Sequence, residues 1–134
     1  MTKTTFTALL IVAVGLVPPS ASAQQNTTEE MASACRPVVS AKVANETVAM
    51  PLTFEAGQCW GAFLSLQGVL TADVRIDQFF GICAPAQSTR TQFVAVFVRY
   101  ADNHPEQLHT PFMETALASL KQAFPCRTAK SKSN

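Results

Sequence analysis

Two stripes of apolar residues at helical spacing dominate residues 80–126, and a cysteine stands just outside each open end of the pair. In the first stripe Phe93, Val96, Phe97 and Tyr100 run down one face. Val94 and Val98 broaden it, while Arg90 and Arg99 are expected to point to water. Thr89 and Gln92 have the T-x-x-Q spacing of a capping box, in which each side chain satisfies a backbone donor at the other position. Pro105 disfavours helical geometry at His104, which ends this helix near Asn103. Thr110-Pro111 restarts the chain, threonine suiting the N-cap and proline the first helical position, where no amide is missed. Met113, Ala116, Leu117, Leu120 and Phe124 make the second stripe, and Pro125 stops it. The pattern predicts an antiparallel helical hairpin with a bend over residues 103–109.

Upstream, Asn26 or Thr27 can cap a short helix whose first turn carries Glu29 and Glu30, where the helix dipole favours acids. Met31, Cys35 and Val38 or Val39 recur at helical spacing, and Pro37 should bend or end this helix. Residues 41–51 show no period and read as a loop or one broken turn. Thr53 then caps a clearer helix with Ala56, Cys59, Phe63, Leu66 and Leu70 on its buried face, widened by Trp60 and Val69. Gly57, Gly61 and Ser65, four apart, form a small-residue groove. Each glycine costs about 1 kcal/mol of helix stability relative to alanine, so close packing should offset it. Contact between helices of one monomer is the plainer expectation, a dimer seam the sharper one. In residues 72–81, Val74, Ile76, Phe79 and Phe80 are interrupted by Arg75 and Asp77. A lone strand there could not satisfy its backbone, so this stretch reads as a last helical turn and a packed connection. The expected fold is all-α, a small disulfide-stabilised bundle of about four helices.

The N-terminus changes the picture of where this bundle folds. Lys3, an apolar run over residues 6–17, Pro18-Pro19 and Ala21-Ser22-Ala23 follow one another in the order of a secretory signal, with cleavage expected after Ala23. The run is short of the roughly 20 apolar residues that span a bilayer, so no membrane span is expected after cleavage. Residues 1–23 thus read as a signal peptide and 24–126 as one helical domain. Residues 127–134, with Arg127, Lys130 and Lys132, read as a basic disordered tail.

All four cysteines, Cys35, Cys59, Cys83 and Cys126, follow the signal, and an even count in an exported chain reads as two disulfides. Three connectivities are open. An antiparallel hairpin brings Cys83 beside Cys126 and leaves Cys35 for Cys59. Without the leader's Lys3 the chain has nine basic and nine acidic residues, but only six of the basic ones precede the tail. That mildly acidic domain argues against nucleic acid, which needs a basic surface. Asn26-Thr27-Thr28 and Asn45-Glu46-Thr47 match the glycosylation pattern, which is common by chance.

Catalytic constellations are missing from the pattern. No C-x-x-C or zinc-ligand spacing links the cysteines to His104 and His109, and both histidines read as exposed residues of the bend. Asp73 and Asp77 are four apart, which a solvated turn explains, and no glycine-rich phosphate loop occurs. Neither an enzyme nor a cofactor-binding protein is expected.

The same residues carry a resemblance. Gly57-Gln58-Cys59-Trp60-Gly61, Cys83 followed by Pro85, the T-x-x-Q cap, His104-Pro105-Glu106 with Leu108-His109, and Phe124-Pro125-Cys126 together resemble the Tai/Rap family. Those are the immunity proteins of type VI secretion amidase effectors, and the resemblance covers most of the chain from about Gly57. It implies a small helical bacterial protein, exported to the periplasm or secreted, typically dimeric. Such a protein binds a peptidoglycan amidase and occludes its active-site groove with a protruding loop. In this chain the bend is the candidate insert, with Asn103, His104, Glu106, Gln107 and His109 as candidate partner-binding residues. The other class that stays open is a disulfide-stabilised periplasmic binding or stress protein that self-associates through Gly57, Gly61 and Ser65.

Overall fold

The computed structural model describes residues 26–41, 43–44, 47–48, 50–71 and 80–126. Residues 1–23, expected to be a signal peptide, residues 72–79 with Asp73 and Asp77, and residues 127–134, expected to be a basic tail, lie outside the described residues. So do Asn45 and Glu46 of the second glycosylation pattern.

Among the described residues four helices make the bundle. The first, α1, spans Thr28–Ser40. Thr27, rather than Asn26, is its cap: the Thr27 hydroxyl accepts from the Glu30 amide at 3.2 Å, and the Glu30 carboxylate accepts from the Thr27 amide at 2.9 Å. Pro37 does not end the helix. It removes one amide donor, but Val38 is buried beyond it, and the Ser40 hydroxyl donates to the carbonyls of Arg36 and Pro37. Val38 faces the core and Val39 is exposed, which settles the choice between them. The unpatterned stretch that follows is not a plain loop. Two-residue strands β1, Val43–Ala44, and β2, Thr47–Val48, pair antiparallel with Val43 opposite Val48. Two residues separate them in sequence, the commonest hairpin length, and the pair is too short to alter the all-α class.

Helix α2 spans Phe54–Thr71 and starts from the Thr53 hydroxyl, which accepts from the Ala56 amide at 3.1 Å. Ala56, Cys59, Phe63 and Leu66 are its buried residues, and Trp60 and Leu70 pack partly against the core. Val69 is exposed instead of widening this face. Gly57, Gly61 and Ser65 also face outward, and a Cβ built on either glycine would meet nothing within 4 Å. The expectation that these small residues serve packing inside the monomer is therefore corrected: the buried stripe lies on the opposite side of α2.

Helix α3, Arg90–Asn103, touches each of the other three helices. Its capping box forms as expected, with Thr89 accepting from the Gln92 amide at 3.2 Å and Gln92 accepting from the Thr89 amide at 2.8 Å. A helix packed on three sides needs a wide stripe, and the buried set is Phe93, Val94, Phe97, Val98 and Ala101. Val96 and Tyr100 sit half-buried at its margin. Arg99 is exposed as expected, whereas Arg90 turns back so that its guanidinium lies 4.4 Å from the Trp60 ring centroid.

Helix α4 spans Phe112–Ala123. Pro111 occupies the N-cap instead of the first helical position, so the helix starts one residue later than expected, and its stripe is Phe112, Thr115, Ala116, Ser119 and Leu120. Met113 is consequently exposed and Leu117 half-buried. Phe112 completes the centre of the core: it meets Phe97 edge-on at 5.2 Å between centroids and Phe63 at 5.7 Å, while Phe63 and Phe97 lie 5.6 Å apart.

Two disulfides fasten the bundle. Cys35 and Cys59 join α1 to α2, and Cys83 and Cys126 close the open end of the α3–α4 hairpin. Beside the second bond, Ile82 bridges Pro125 and the Cys83 amide donates to the Phe124 carbonyl at 2.8 Å. Gly81 enters this strap at φ 65°, a left-handed conformation that suits glycine.

Opening either ring restores chain entropy to the unfolded state. For sequence separations of 43 and 24, the loss is expected to be about 4 kcal/mol for Cys83→Ala with Cys126→Ala and about 3.5 kcal/mol for Cys35→Ala with Cys59→Ala. Urea unfolding of the two double variants checks this, and stability within 1 kcal/mol of the parent would contradict it.

Candidate partner-binding site

The bend between α3 and α4 is a tight, polar knuckle. Asn103 ends α3, and its side-chain amide donates back to the Arg99 carbonyl at 2.8 Å. The chain then turns through a short 3-10 helix, Pro105–Gln107, in which proline supplies a residue that has no amide to satisfy. The Gln107 amide donates to the His104 carbonyl at 2.9 Å, and the Thr110 amide to the Gln107 carbonyl at 3.1 Å.

Two interactions order the tip. The His104 ring stacks on Tyr100, centroids 4.1 Å apart, and His104 Nδ1 lies 2.9 Å from Glu106 Oε1. An ionised carboxylate only accepts, so Nδ1 carries the proton and Nε2 remains for another group. The hydrogen bond from His104, helped by a backbone hydrogen bond, holds the Glu106 carboxyl below its ordinary value. Glu106 is fully exposed, so water screens the pair and its part in stability is small. Its sign is fixed: the contribution is present above the usual carboxylate range and is lost as pH falls through the lowered value.

The structure brings Asn103, His104, Glu106, Gln107 and His109 together on one knuckle. Asn103, Glu106 and His109 are exposed, and His104 and Gln107 partly so. Gly57, Gly61 and Ser65 lie elsewhere, on the outer face of α2. The four cysteines serve the bundle and contribute no thiol. Among the described residues no cluster of histidine, cysteine and carboxylate groups could hold a metal ion, and no helix is long and apolar enough to cross a membrane.

What pattern reasoning missed is the seat of the bend. The first amides of α1 reach across to it: Thr28 donates to the Thr110 carbonyl at 2.9 Å and Glu29 to the Leu108 carbonyl at 3.0 Å. In return the Phe112 amide, at the start of α4, donates to the Asn26 carbonyl at 3.0 Å. Beneath this seam the Thr28 hydroxyl donates to that of Thr115 at 2.8 Å, and Thr110 and Thr115 hydroxyls lie 2.8 Å apart. Thr28 and Thr115 are buried. Thr115 falls on the α4 stripe and Thr28 follows a cap, but nothing in the chain pairs positions 87 apart.

Comparison with known families finds one match: the family described as Rap1a immunity proteins, over residues 27–126. No curated protein and no solved structure matches the chain.

Because the hydrogen bond from His104 is the main cause of the Glu106 shift, His104→Ala should move the Glu106 titration upward towards an ordinary glutamate. Carboxyl NMR titration of the two proteins checks this; unchanged midpoints would remove the His104–Glu106 contact from the solution structure.

Proposed function

The chain belongs to the Rap1a immunity protein family, and on that premise we propose that it is an exported bacterial protein that binds and occludes a peptidoglycan amidase effector of type VI secretion. Immunity is a binding role, and binding needs no catalytic group in this chain. The observation that carries the reading is the family match over nearly all the described residues, joined by a polar knuckle whose backbone is hydrogen-bonded to the start of α1. A loop ordered before binding loses little entropy on entering a groove, so its contacts convert more fully into affinity. The family's immunity role and the two disulfides support export to an oxidising compartment, which for this reading is the periplasm.

In this reading residues 103–109 enter the active-site groove of the amidase. Glu106, Gln107 and His109 offer side chains at the tip, and His104 offers Nε2, while Asn103 sets the exit of α3. The toxin is neutralised by exclusion of its peptide substrate, so affinity and shape, not chemistry, determine protection.

Self-association is a second reading with its own support. Helix α2 is apolar nearly all round, with Glu55 its one charged residue, and a helix of that kind is ordinarily buried on every side. Yet Phe54, Leu64 and Val69 are exposed beside Gly57, Gly61 and Ser65. A face without charge and with room for close backbone approach fits a second copy of itself, and this surface would serve the dimer whether or not a toxin exists. Without a toxin, the protein would be a disulfide-stabilised periplasmic binding or stress-related protein.

Two measurements separate these readings. Replacing His104 and Glu106 with alanine should weaken binding to a cognate peptidoglycan amidase about tenfold or more, with the melting temperature nearly unchanged. Unchanged affinity would move the contact elsewhere, and failure of the parent to bind or inhibit that amidase would remove the immunity reading. Gly61→Leu should convert a dimer to a monomer in sedimentation equilibrium. A parent protein that is monomeric at high micromolar concentration would contradict the seam.

A further inference from the structure

Along the outer side of α3, away from the buried stripe, two adjoining clefts with Val96 and Arg99 in both linings make up a groove in two parts. The first, about 350 Å³, opens between α3 and α4 and runs past Tyr100 and Asn103 to His104, with Gln122 across from them. It reaches the bend directly. The second, about 610 Å³, extends the other way and is mainly apolar, with Val39, Pro85, Ala95 and Phe124 in its wall.

Charge is placed unevenly in this groove. Arg99 is the one permanently charged side chain that lines it, and no aspartate or glutamate does. The other two arginines among the described residues are engaged, Arg36 with Asp102 at 2.8 Å and Arg90 over Trp60. Arg99 has no ion-pair partner among the described residues and is exposed. Its guanidinium presents a planar set of donors suited to a carboxylate, and Tyr100, Asn103 and Gln122 add polar atoms around it.

We propose that this groove receives an acidic segment of the protein partner, with a carboxylate on Arg99 and a neighbouring apolar side chain in the pocket of Val39, Ala95, Val96 and Phe124. The proposal rests on the reading that this protein acts by binding another protein, and it adds the chemistry of the segment that lies beside the bend. Residues 92–103 of α3 extend about 17 Å, enough for about five residues of extended chain. In such a chain residues two apart point to the same side, about 7 Å from each other, so an apolar residue and an acid separated by one position can occupy the two parts together. A neutral segment would leave Arg99 without a partner, and a basic one would be repelled by it.

The probe is the capped tripeptide acetyl-Leu-Gly-Asp-amide, with acetyl-Leu-Gly-Asn-amide as its neutral control, titrated into the 15N-labelled mature protein. The acidic peptide should shift the amides of Val96, Arg99, Tyr100 and Gln122. It should bind about tenfold more tightly than its control, and lose that advantage in Arg99→Gln while Arg99→Lys keeps part of it. Because Arg99 is exposed, both variants should keep the parent melting temperature. Equal binding of the two peptides, no shifts at these amides up to millimolar concentration, or undiminished binding by Arg99→Gln would each overturn the proposal. A second arm uses the cognate peptidoglycan amidase of the proposed function. If it binds Arg99→Gln as tightly as the parent, the groove proposal fails and the immunity reading stands. If it binds neither, the immunity reading fails and the peptide titration alone decides the groove.

Discussion

Two helix beginnings satisfy each other across one seam, and the shape of the bend depends on it. The first amides of any helix have no partner within it, and a buried helix start must find acceptors elsewhere. Here the Thr28 and Glu29 amides of α1 find the carbonyls of Thr110 and Leu108, while the Phe112 amide of α4 finds the carbonyl of Asn26. The Thr27 hydroxyl takes the next amide of α1, that of Glu30. The buried hydroxyls of Thr28 and Thr115 lie beneath this seam and would lose their partners if it opened. An unpaired buried polar group costs about 1–3 kcal/mol, so partial opening is disfavoured and the seam is held as a unit.

That constraint links packing to recognition. The open end of the α3–α4 hairpin is closed by Cys83–Cys126 and by the Cys83 amide on the Phe124 carbonyl. Its middle is filled by Phe97 and Phe112 against Phe63 of α2, and its far end is held by α1. The bend therefore projects from a hairpin fixed at both ends and in the middle. Its exposed groups can be polar without loosening the backbone that presents them. The His104 stack on Tyr100 carries the same order outward to the tip and along the groove that Arg99 lines.

Features governed by neighbouring residues were legible in the chain. Thr89 and Gln92 form a capping box through contacts three residues apart, and Pro105 stops α3 by its own ring. The pairing of Cys83 with Cys126 follows from antiparallel geometry once two helices are placed. Features set by distant partners were not legible. The stripe of α3 is turned by one position because three helices cover it, and Phe112 joins the stripe of α4 because Pro111, not Thr110, takes the N-cap while Thr110 joins the threonine cluster. For α2 the stripe of Ala56, Cys59, Phe63 and Leu66 was legible and already places Gly57 and Gly61 on the opposite side; what left no mark in the chain is that nothing among the described residues packs against that side. The bend was recognisable as a candidate site from its proline, its polar residues and the family resemblance. Its seat on α1 was not, because backbone hydrogen bonds leave no mark on residue type.

Native-state hydrogen exchange measures the seam most directly. If the seam holds the bend, the amides of Thr28, Glu29 and Phe112 exchange as slowly as those in the middle of α3, at Phe97 and Val98, and open with the same denaturant dependence. Exchange of these three amides at rates typical of frayed helix ends, with Phe97 still protected, would show the bend moving independently of the bundle and would contradict the account.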